Sequence, residues 1–435
     1  MTPCPPMIEA APLPAPAPAA ARLRACDDCG QMVRLAALPP GVDSRCPRCD
    51  AVLRRHRRSM VSTPLALAAT SLLLCLVTVT TPFLTIRLLG RMRSSMVDSG
   101  AGAFVDDGLW MLAVLLVATV VLVPLARLGL RLVVLAGLTA AAPPVWLGRL
   151  LRWHQHLGAW SMLEVFLFGA LVSYTRLADL AEVELGPAVY GLGAVVIAMV
   201  AADAAFEPQA AWDALEDRGV MARPAAARAE APRHAPIGCH CCRRVAQAAP
   251  GTECARCGTP LHPRKPAAVS RAWALILAAF ILYVPANVYP VMSVVTLGQG
   301  GPHTIMGGVV EFVHTGFWPL ALIVFTASVA VPMLKLVGLS VMLLQMGRPA
   351  SLAALRRRTK LYRVIEVLGR WSMIDVFVVA VLIALVRFGV LASITAGIGA
   401  ACFGGVVILT MLAAESFDPR LMWDAAAASE SETAA

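Results

Sequence analysis

Eight long apolar runs, four in each half of the chain, alternate with shorter polar segments. A run of about 20 apolar residues spans the roughly 30 Å hydrocarbon core of a bilayer, because an α-helix rises about 1.5 Å per residue. The pattern predicts an all-α polytopic membrane protein. The expected spans are about 64–86, 109–136, 160–178 and 187–205, then 271–297, 316–344, 371–390 and 393–414.

The two halves of the chain repeat one another. The third run opens at Trp160 and Ser161 with W-S-M-L-E-V-F, and the seventh opens at Trp371 and Ser372 with W-S-M-I-D-V-F. At the offset that aligns these stretches, Arg176, Phe206, Pro208, Trp212 and Asp213 match Arg387, Phe417, Pro419, Trp423 and Asp424. At an offset three residues shorter, Pro82, Trp110, Pro124 and Arg127 match Pro290, Trp318, Pro332 and Lys335. The matches predict a tandem repeat of a four-helix transmembrane domain.

A proline and a basic residue interrupt the second run of each half. Pro124 and Pro332 should kink their helices, since proline lacks an N–H and its ring clashes with the preceding turn. Arg127 and Lys335 follow three residues later. A cation near the bilayer centre costs about 2.5–3.5 kcal/mol on insertion scales, so it usually faces a protein interior or a polar cavity; snorkelling to the interface is the alternative. We expect Lys335, flanked by apolar residues, to be the more functional of the two.

The repeated stretch has two interpretations. Ser161 and Glu164 form a capping-box pattern, with serine at the N-cap and a carboxylate three residues later. Asp375 takes the same slot in the second copy and also complements the positive end of a helix. In one interpretation the stretch only caps a helix; in the other it also contributes to a polar transport route. Trp160 and Trp371 are expected to anchor the helices at the membrane interface.

Two pairs of Cys-x-x-Cys motifs, one before each half, suit tetrahedral metal binding, because each turn presents two thiolates to one side of the ion. The expected ligands are Cys26, Cys29, Cys46 and Cys49 in the first ribbon, and Cys239, Cys242, Cys254 and Cys257 in the second. Cys241 lies inside a motif and leaves the second ligand set open. Zinc is the expected metal of two rubredoxin-like ribbons, although four thiolates also accept iron. Each metal would hold together a ribbon too small to bury a sufficient core; a redox role is the alternative.

Composition supports the membrane class and limits the possible functions. The chain is 58% hydrophobic and 15% charged, with a mean hydropathy of +0.72, whereas soluble domains are about half apolar. The net charge of +10 comes from basic residues beside the apolar runs. Membrane orientation and anionic lipid account for them there, so nucleic acid is not an expected partner. No Walker loop, G-x-S-x-G or H-E-x-x-H motif occurs, and we expect no enzymatic activity.

The distribution of basic residues predicts the topology. Arginines precede the first span and crowd both the loop before the seventh span and the linker 206–271, whereas 298–315 contains no Lys or Arg and 177–184 is acidic. The positive-inside rule then places both termini and both ribbons in the cytoplasm, which requires an even number of spans per half. Three arginines in the loop 87–108 run against this orientation.

The domain organisation follows from these patterns. We expect a disordered tail at 1–21, ribbons at 22–58 and 236–265, four-helix transmembrane domains at 64–206 and 270–416, a linker at 207–235 and a cytoplasmic tail at 417–435.

Taken together, the paired ribbons, the Pro-x-x-[Arg/Lys] pattern in the second span and the duplicated W-S-M-[Leu/Ile]-[Asp/Glu]-V-F stretch resemble the paraquat-inducible protein A family over about 26–424. The resemblance implies a multi-pass protein of the bacterial inner membrane with cytoplasmic, metal-bound ribbons. It also implies a partner, an MCE-domain protein that bridges the periplasm, in the transport of lipids or other hydrophobic molecules between membranes.

We hypothesise that the second half forms a lipid-accepting cavity. Lys335 and Asp375, with Glu164 and Arg127 as their first-half counterparts, are the candidate polar residues of the route, and they could couple it to proton movement. A membrane redox protein and a scaffold or regulator that does not itself transport are the alternative functions.

Overall fold

The computed structural model describes residues 22–426 without 36–40, 56, 58, 60, 89–90, 179–181, 221–234, 297–298, 349 and 389–391. The predicted tail at 1–21, the end of the tail from 427 and residues 221–234 of the predicted linker lie outside the described residues.

The first ribbon and the first transmembrane half run from residue 22 to 217. Their elements are β1 (Arg22–Ala25), β2 (Met32–Leu35), β3 (Asp43–Arg45), β4 (Val52–Arg55), α1 (Ser62–Thr80), β5 (Leu84–Leu88), β6 (Arg91–Ser95), α2 (Ser99–Asp106), α3 (Trp110–Val117), α4 (Val123–Thr139), α5 (Leu147–Leu157), α6 (Leu163–Ala178), β7 (Glu182–Leu185), α7 (Pro187–Ala205) and α8 (Pro208–Asp217).

The second ribbon and second half repeat this order. Their elements are β8 (Pro236–Gly238), β9 (Val245–Gln247), α9 (Ala268–Val288), β10 (Met292–Thr296), β11 (Gln299–His303), α10 (Ile305–His314), α11 (Trp318–Phe325), α12 (Val331–Leu344), α13 (Leu352–Leu368), α14 (Ile374–Leu385), β12 (Ala392–Ala396) and α15 (Ile398–Ser416). Residues 420–426 are also helical and occupy the position that α8 has in the first half.

Eight helical segments among the described residues are long and apolar enough to cross a membrane. They are Ser62–Thr80, Trp110–Thr139, Leu147–Ala178 and Pro187–Ala205, followed by Ala268–Val288, Ala321–Leu344, Leu352–Leu385 and Ile398–Ser416. The fold is therefore a mostly helical, multi-pass membrane protein in which a four-span unit occurs twice.

The spans differ in detail from those expected from the apolar runs. The runs 64–86 and 271–297 are not helical throughout: their helices end at Thr80 and Val288, and the residues after Pro82 and Pro290 form β5 and β10. The third segment of each half is longer than the expected run, because it begins with a further helix, α5 or α13. The segment expected to be a linker from 207 begins with α8.

Two three-stranded antiparallel sheets lie where the first spans end. In the first half the strand order is β6-β5-β7, and in the second it is β11-β10-β12. The third strand of each sheet comes from the segment between the third and fourth spans, so the sheet ties the loops of one half together. Because the ribbons adjoin the opposite ends of these helices, the membrane region has a ribbon face and a sheet face.

A wide helical turn precedes each intramembrane proline. Residues Ala118–Leu122 and Thr326–Ala330 form π-turns that end one residue before the α-helical segments containing Pro124 and Pro332. A π-turn is the ordinary way for a helix to absorb such a break in its hydrogen-bond ladder. In the first half it leaves the Thr119 carbonyl free to accept the N–H of Met162 at 3.2 Å.

The two halves pack against each other through their third spans, α6 and α14. Phe166 and Phe377, which are equivalent positions of the repeat, meet edge to face with ring centroids 5.6 Å apart. Next to them, Ser173 Oγ donates to the Val378 carbonyl at 3.2 Å. A Cβ on Gly169 would lie 2.9 Å from the Cβ of Phe377. Glycine therefore permits the close approach of the two helices at the point where the equivalent phenylalanines meet.

Candidate metal centres and intramembrane polar sites

Each ribbon places four buried thiols around one point. In the first, Cys26 Sγ lies 3.5 Å from Cys49 Sγ, and Cys29 Sγ lies 3.5 Å from Cys46 Sγ. In the second, the corresponding separations are 3.4 and 3.7 Å, and the four ligands are Cys239, Cys242, Cys254 and Cys257. A tetrahedral Zn–S bond of about 2.3 Å requires sulfur atoms about 3.8 Å apart. Both clusters fit a tetrahedral metal ion with four thiolate ligands.

Hydrogen bonds among the four thiols of each cluster lower the pKa values of Cys46 and Cys257 below that of a free thiol and raise the pKa values of Cys26 and Cys242 above it. The separations are far longer than the roughly 2.05 Å of a disulfide. Cys241, the extra cysteine inside the second motif, is not one of the four clustered thiols; its Sγ lies 3.6 Å from Gln155 Oε1, and its thiol also interacts with that of Cys257.

In the described part of the chain, ribbon 1 (22–55) touches the half that follows it only through its strands, where Arg24 forms an ion pair with Asp213 and the Arg55 N–H donates to Glu207 Oε1 at 2.9 Å; its metal-binding turns contact the second half. Its four cysteines share a hydrophobic core with helices of the second half. Arg363 of α13 donates to the carbonyl of Cys49 at 3.0 Å and forms an ion pair with Asp28 at 2.6 Å. The guanidinium of Arg48 lies over the ring of Trp423, 4.7 Å from its centroid. The metal-binding turns of ribbon 1 are therefore docked on the second half.

Ribbon 2 (236–261) docks on the first half through the equivalent contacts. Arg152 of α5 donates to the carbonyl of Cys257 at 3.2 Å, and Arg256 lies over the ring of Trp212 and forms an ion pair with Asp213 at 2.5 Å. Arg152 and Trp212 occupy the same positions in the repeat as Arg363 and Trp423. The ribbons are thus exchanged between the halves.

The two ribbons also contact each other. Arg243 Nε lies 2.5 Å from Asp27 Oδ2, and the carbonyl of Arg243 accepts the N–H of Ala25 at 3.4 Å. The carboxylate of Asp27 is the main cause that raises the pKa of Arg243 above its ordinary value.

Lys335 is buried in α12, and hydroxyl groups surround its ammonium. Nζ donates to Ser372 Oγ at 3.0 Å and to Thr410 Oγ1 at 2.9 Å. Ser372 Oγ in turn donates to the Gly369 carbonyl at 2.8 Å. No carboxylate of the described residues lies within ion-pair distance of this ammonium, which distinguishes it from the arginines nearby.

The capping-box prediction for the repeated stretch is wrong. A 3₁₀ turn precedes each helix, so α6 begins at Leu163 and α14 at Ile374. Ser372 faces Lys335 instead of the helix end. Ser161 Oγ is buried without a hydrogen-bond partner in the described part of the chain. Glu164 forms an ion pair with Arg370 of the other half at 3.4 Å.

The first half carries different chemistry at the position equivalent to Lys335. Arg127 binds Asp203 at 3.1 Å, and Arg131 forms an ion pair with the same carboxylate. Arg131 Nε also donates to His154 Nε2 at 3.1 Å. Arg127 is therefore neutralised by a carboxylate, whereas Lys335 is not.

A cavity on the ribbon face reaches both basic residues. It has a volume of about 520 Å³ and is lined by Arg127, Asp203, Lys335 and Glu366. Two cavities of about 530 and 510 Å³ adjoin it beneath the ribbons and share His156 with it. The space between the ribbons and the membrane helices is thus open and polar.

Asp375 belongs to a separate cavity on the sheet face. It is buried, its Oδ2 atom has no hydrogen-bond partner among the described residues, and Ser328 and Arg176 are the nearest polar groups. The cavity measures about 50 Å³ and lies between the halves, with apolar walls that include Val172 and Val379. The structure therefore does not bring the four predicted polar residues into one site: Arg127 and Lys335 share a cavity, Asp375 lies in another, and Glu164 pairs with Arg370.

Three functional candidates were absent from the sequence prediction. Asp203, an acidic residue inside an apolar run, carries a signal that could have identified it. Thr410 and Ser328 carry none, because hydroxyl residues are common in membrane helices and usually bond to their own backbone.

These observations define a class: a duplicated eight-span membrane protein with two exchanged tetrathiolate ribbons. The chain belongs to the paraquat-inducible protein A family, whose sequence model matches residues 61–216 and 269–427. It is 32% identical to the "Intermembrane transport protein PqiA" of Escherichia coli over 94% of this chain and 97% of that protein. It is 29% identical to the "Lipophilic envelope-spanning tunnel protein A" of the same organism, over 92% of this chain and 91% of that protein.

A third relative covers less of the chain. The "Probable intermembrane transport protein" of Haemophilus influenzae is 34% identical over 39% of this chain and 41% of its own length. Two of these relatives are named as intermembrane transport proteins and one as a tunnel protein; none of the three is named as an enzyme. No solved structure matches the chain.

Proposed function

We propose that this protein is the inner-membrane component of a bacterial system that moves lipids or other hydrophobic molecules between membranes. Its partner would be an MCE-domain protein that spans the periplasm. The names of two relatives, one an intermembrane transport protein and the other a lipophilic envelope-spanning tunnel protein, support this assignment.

The orientation that fits this role has the ribbon face in the cytoplasm. The first turns of α13 carry Arg356, Arg357 and Arg358 on that face, as the positive-inside rule requires. Reduced thiols also persist in the cytoplasm, whereas an oxidising compartment favours disulfides. Both termini would then be cytoplasmic, and the sheet face would meet the periplasmic partner.

The observation that carries the proposal is the pair of cavities that approach one helix from opposite faces. Lys335, which donates to Ser372, lines the ribbon-face cavity, and Asp375, three residues after Ser372, lines the sheet-face cavity. Two groups that can gain and lose protons, Lys335 and Asp375, thus line cavities on opposite faces of the membrane region. This placement supports a transport cycle in which the second half opens toward the sheet face and proton movement accompanies opening.

The metal sites have a structural role in this proposal. All eight sulfur ligands are at most 7% exposed, which supports a structural role over electron exchange with soluble partners. We propose zinc in both. Two zinc equivalents per chain, without iron, measured by elemental analysis of purified protein would support the structural role; iron or ligand disulfides would favour the redox alternative.

The transport role is tested by substitution of the two polar groups. Lys335→Ala and Asp375→Asn should each reduce lipid transfer between reconstituted donor and acceptor vesicles roughly tenfold or more, the effect of about 1.4 kcal/mol at the limiting step. Ser340→Ala is the matched control, because Ser340 Oγ bonds only to its own helix at Leu336. Wild-type transfer in both variants, at equal protein levels, would reject the assigned roles.

A further inference from the structure

Arg176, near the sheet-face end of α6, is a cation without a bound anion. Its Nε atom is buried and lacks a hydrogen-bond partner within the described chain. Asp375 and Glu311 are near enough to attract it, yet no carboxylate oxygen of either residue lies within 4.0 Å of a guanidinium nitrogen. Glu311 lies instead 3.6 Å from His303.

Arg387, the equivalent residue of the second half, is neutralised by carboxylates. Arg387 forms ion pairs with Asp106 and Asp107, each at 2.8 Å, and donates to the Ala103 carbonyl at 2.8 Å. Asp106 and Asp107 lie four and three residues before Trp110; the same positions before Trp318 hold His314 and Thr315. The second half therefore has no carboxylates at the positions equivalent to Asp106 and Asp107, so Arg176 lacks the two partners that neutralise Arg387.

The surroundings of Arg176 orient its guanidinium. Phe312 covers one face, with its ring centroid 3.8 Å away, and a Cβ on Gly308 would lie 3.2 Å from Nη2. The remaining wall of the cavity is mostly apolar and includes Ile305 and Val378. A held cation beside an apolar wall suits a ligand that combines an anionic group with a hydrocarbon chain.

We propose that Arg176 binds the phosphate of a phospholipid whose chains lie along the valine and isoleucine wall between the halves. The inference deepens the proposed transport function by naming the substrate class and its head-group contact. A guanidinium suits this ligand because it can donate two parallel hydrogen bonds to phosphate oxygens. With a volume of about 50 Å³, the cavity admits part of a head group, so the halves must separate to admit the chains.

The test compares Arg176→Met with Arg387→Met in full-length protein purified in detergent. We expect Arg176→Met to bind phosphatidylglycerol roughly tenfold more weakly than wild type, the loss typical of one charge-assisted hydrogen bond. Without added lipid it should melt at or above the wild-type temperature, because an unpaired cation has been replaced by an apolar side chain. Arg387→Met should melt lower and keep its lipid affinity, because it breaks a paired network.

Two further ligands identify the source of the phosphate. Diacylglycerol with the same chains should bind weakly and equally to wild type and Arg176→Met, and inorganic phosphate should not raise the melting temperature. Equal binding of phosphatidylglycerol to wild type and Arg176→Met would overturn the head-group assignment and leave the transport proposal standing. Stabilisation by inorganic phosphate as strong as that by phospholipid would overturn the lipid assignment. A wild-type protein that binds no phospholipid would contradict both proposals.

Discussion

Replacing Cys46 and Cys49 with alanine should loosen the second half of the protein and leave α1 and α5 of the first half protected. Loss of two ligands removes the metal, whose binding contributes about 10–16 kcal/mol to the folding of isolated zinc-binding peptides. The Cys49 carbonyl that Arg363 binds and the Arg48 side chain over Trp423 then lose their fixed positions. We expect faster hydrogen–deuterium exchange in α13 and in residues 420–426, together with the loss of one metal per chain.

The mirror variant provides the control. Cys254→Ala with Cys257→Ala should expose α5 and α8 of the first half, because these carry Arg152 and Trp212. If the ribbon 1 variant instead increased exchange in α1 or α5 and left α13 unchanged, the exchanged docking of the metal-binding turns would be incorrect.

Gly169→Leu should force the two halves apart at their shared helices. A Cβ at this position would already lie 2.9 Å from the Cβ of Phe377 and 3.3 Å from the Ile374 carbonyl, and leucine adds three more carbons. Overpacking typically costs about 1–3 kcal/mol; we expect the upper end because backbone on both helices must move. The measurement is the free energy of unfolding in a fixed detergent.

Gly193→Leu is the control for this substitution. Gly193 also lies in a membrane-capable helix, α7, and nothing lies within 4 Å of the Cβ that it would gain. It should change stability by less than about 1 kcal/mol, the range usual for surface positions. Equal destabilisation by both substitutions would indicate a general intolerance of leucine and not a specific contact between α6 and α14.

Much of the architecture was predictable because it depends on local signals. Runs of apolar residues specify the eight spans, paired Cys-x-x-Cys motifs specify two four-thiol clusters, and the matching W-S-M stretches reveal the repeat. The two small sheets were not predictable in this way. Leu84–Leu88 and Met292–Thr296 follow directly on apolar helices, so their strand character is hidden within a continuous hydrophobic run.

The functional contacts required the folded chain. Ser161 and Glu164 satisfy the pattern of a helix cap. Only the folded chain shows that a 3₁₀ turn precedes each helix and that Ser372, the serine of the second copy, accepts a hydrogen bond from Lys335. The exchange of the ribbons has no local signal at all. Arg152 and Arg363 appear in the sequence as ordinary polar positions of amphipathic helices, and the cysteines whose carbonyls they bind are 105 and 314 residues away.

The exchange of the ribbons also imposes an order on biosynthesis. Ribbon 2 leaves the ribosome after α5 and α8, so the surface to which it binds has already been translated. Ribbon 1 is translated first, yet the Arg363 that binds its Cys49 follows 314 residues later. The nascent chain must therefore keep the cysteines of ribbon 1 reduced and bound to metal through most of translation. The contact of ribbon 1 with Trp423 forms only when the last helix has been made.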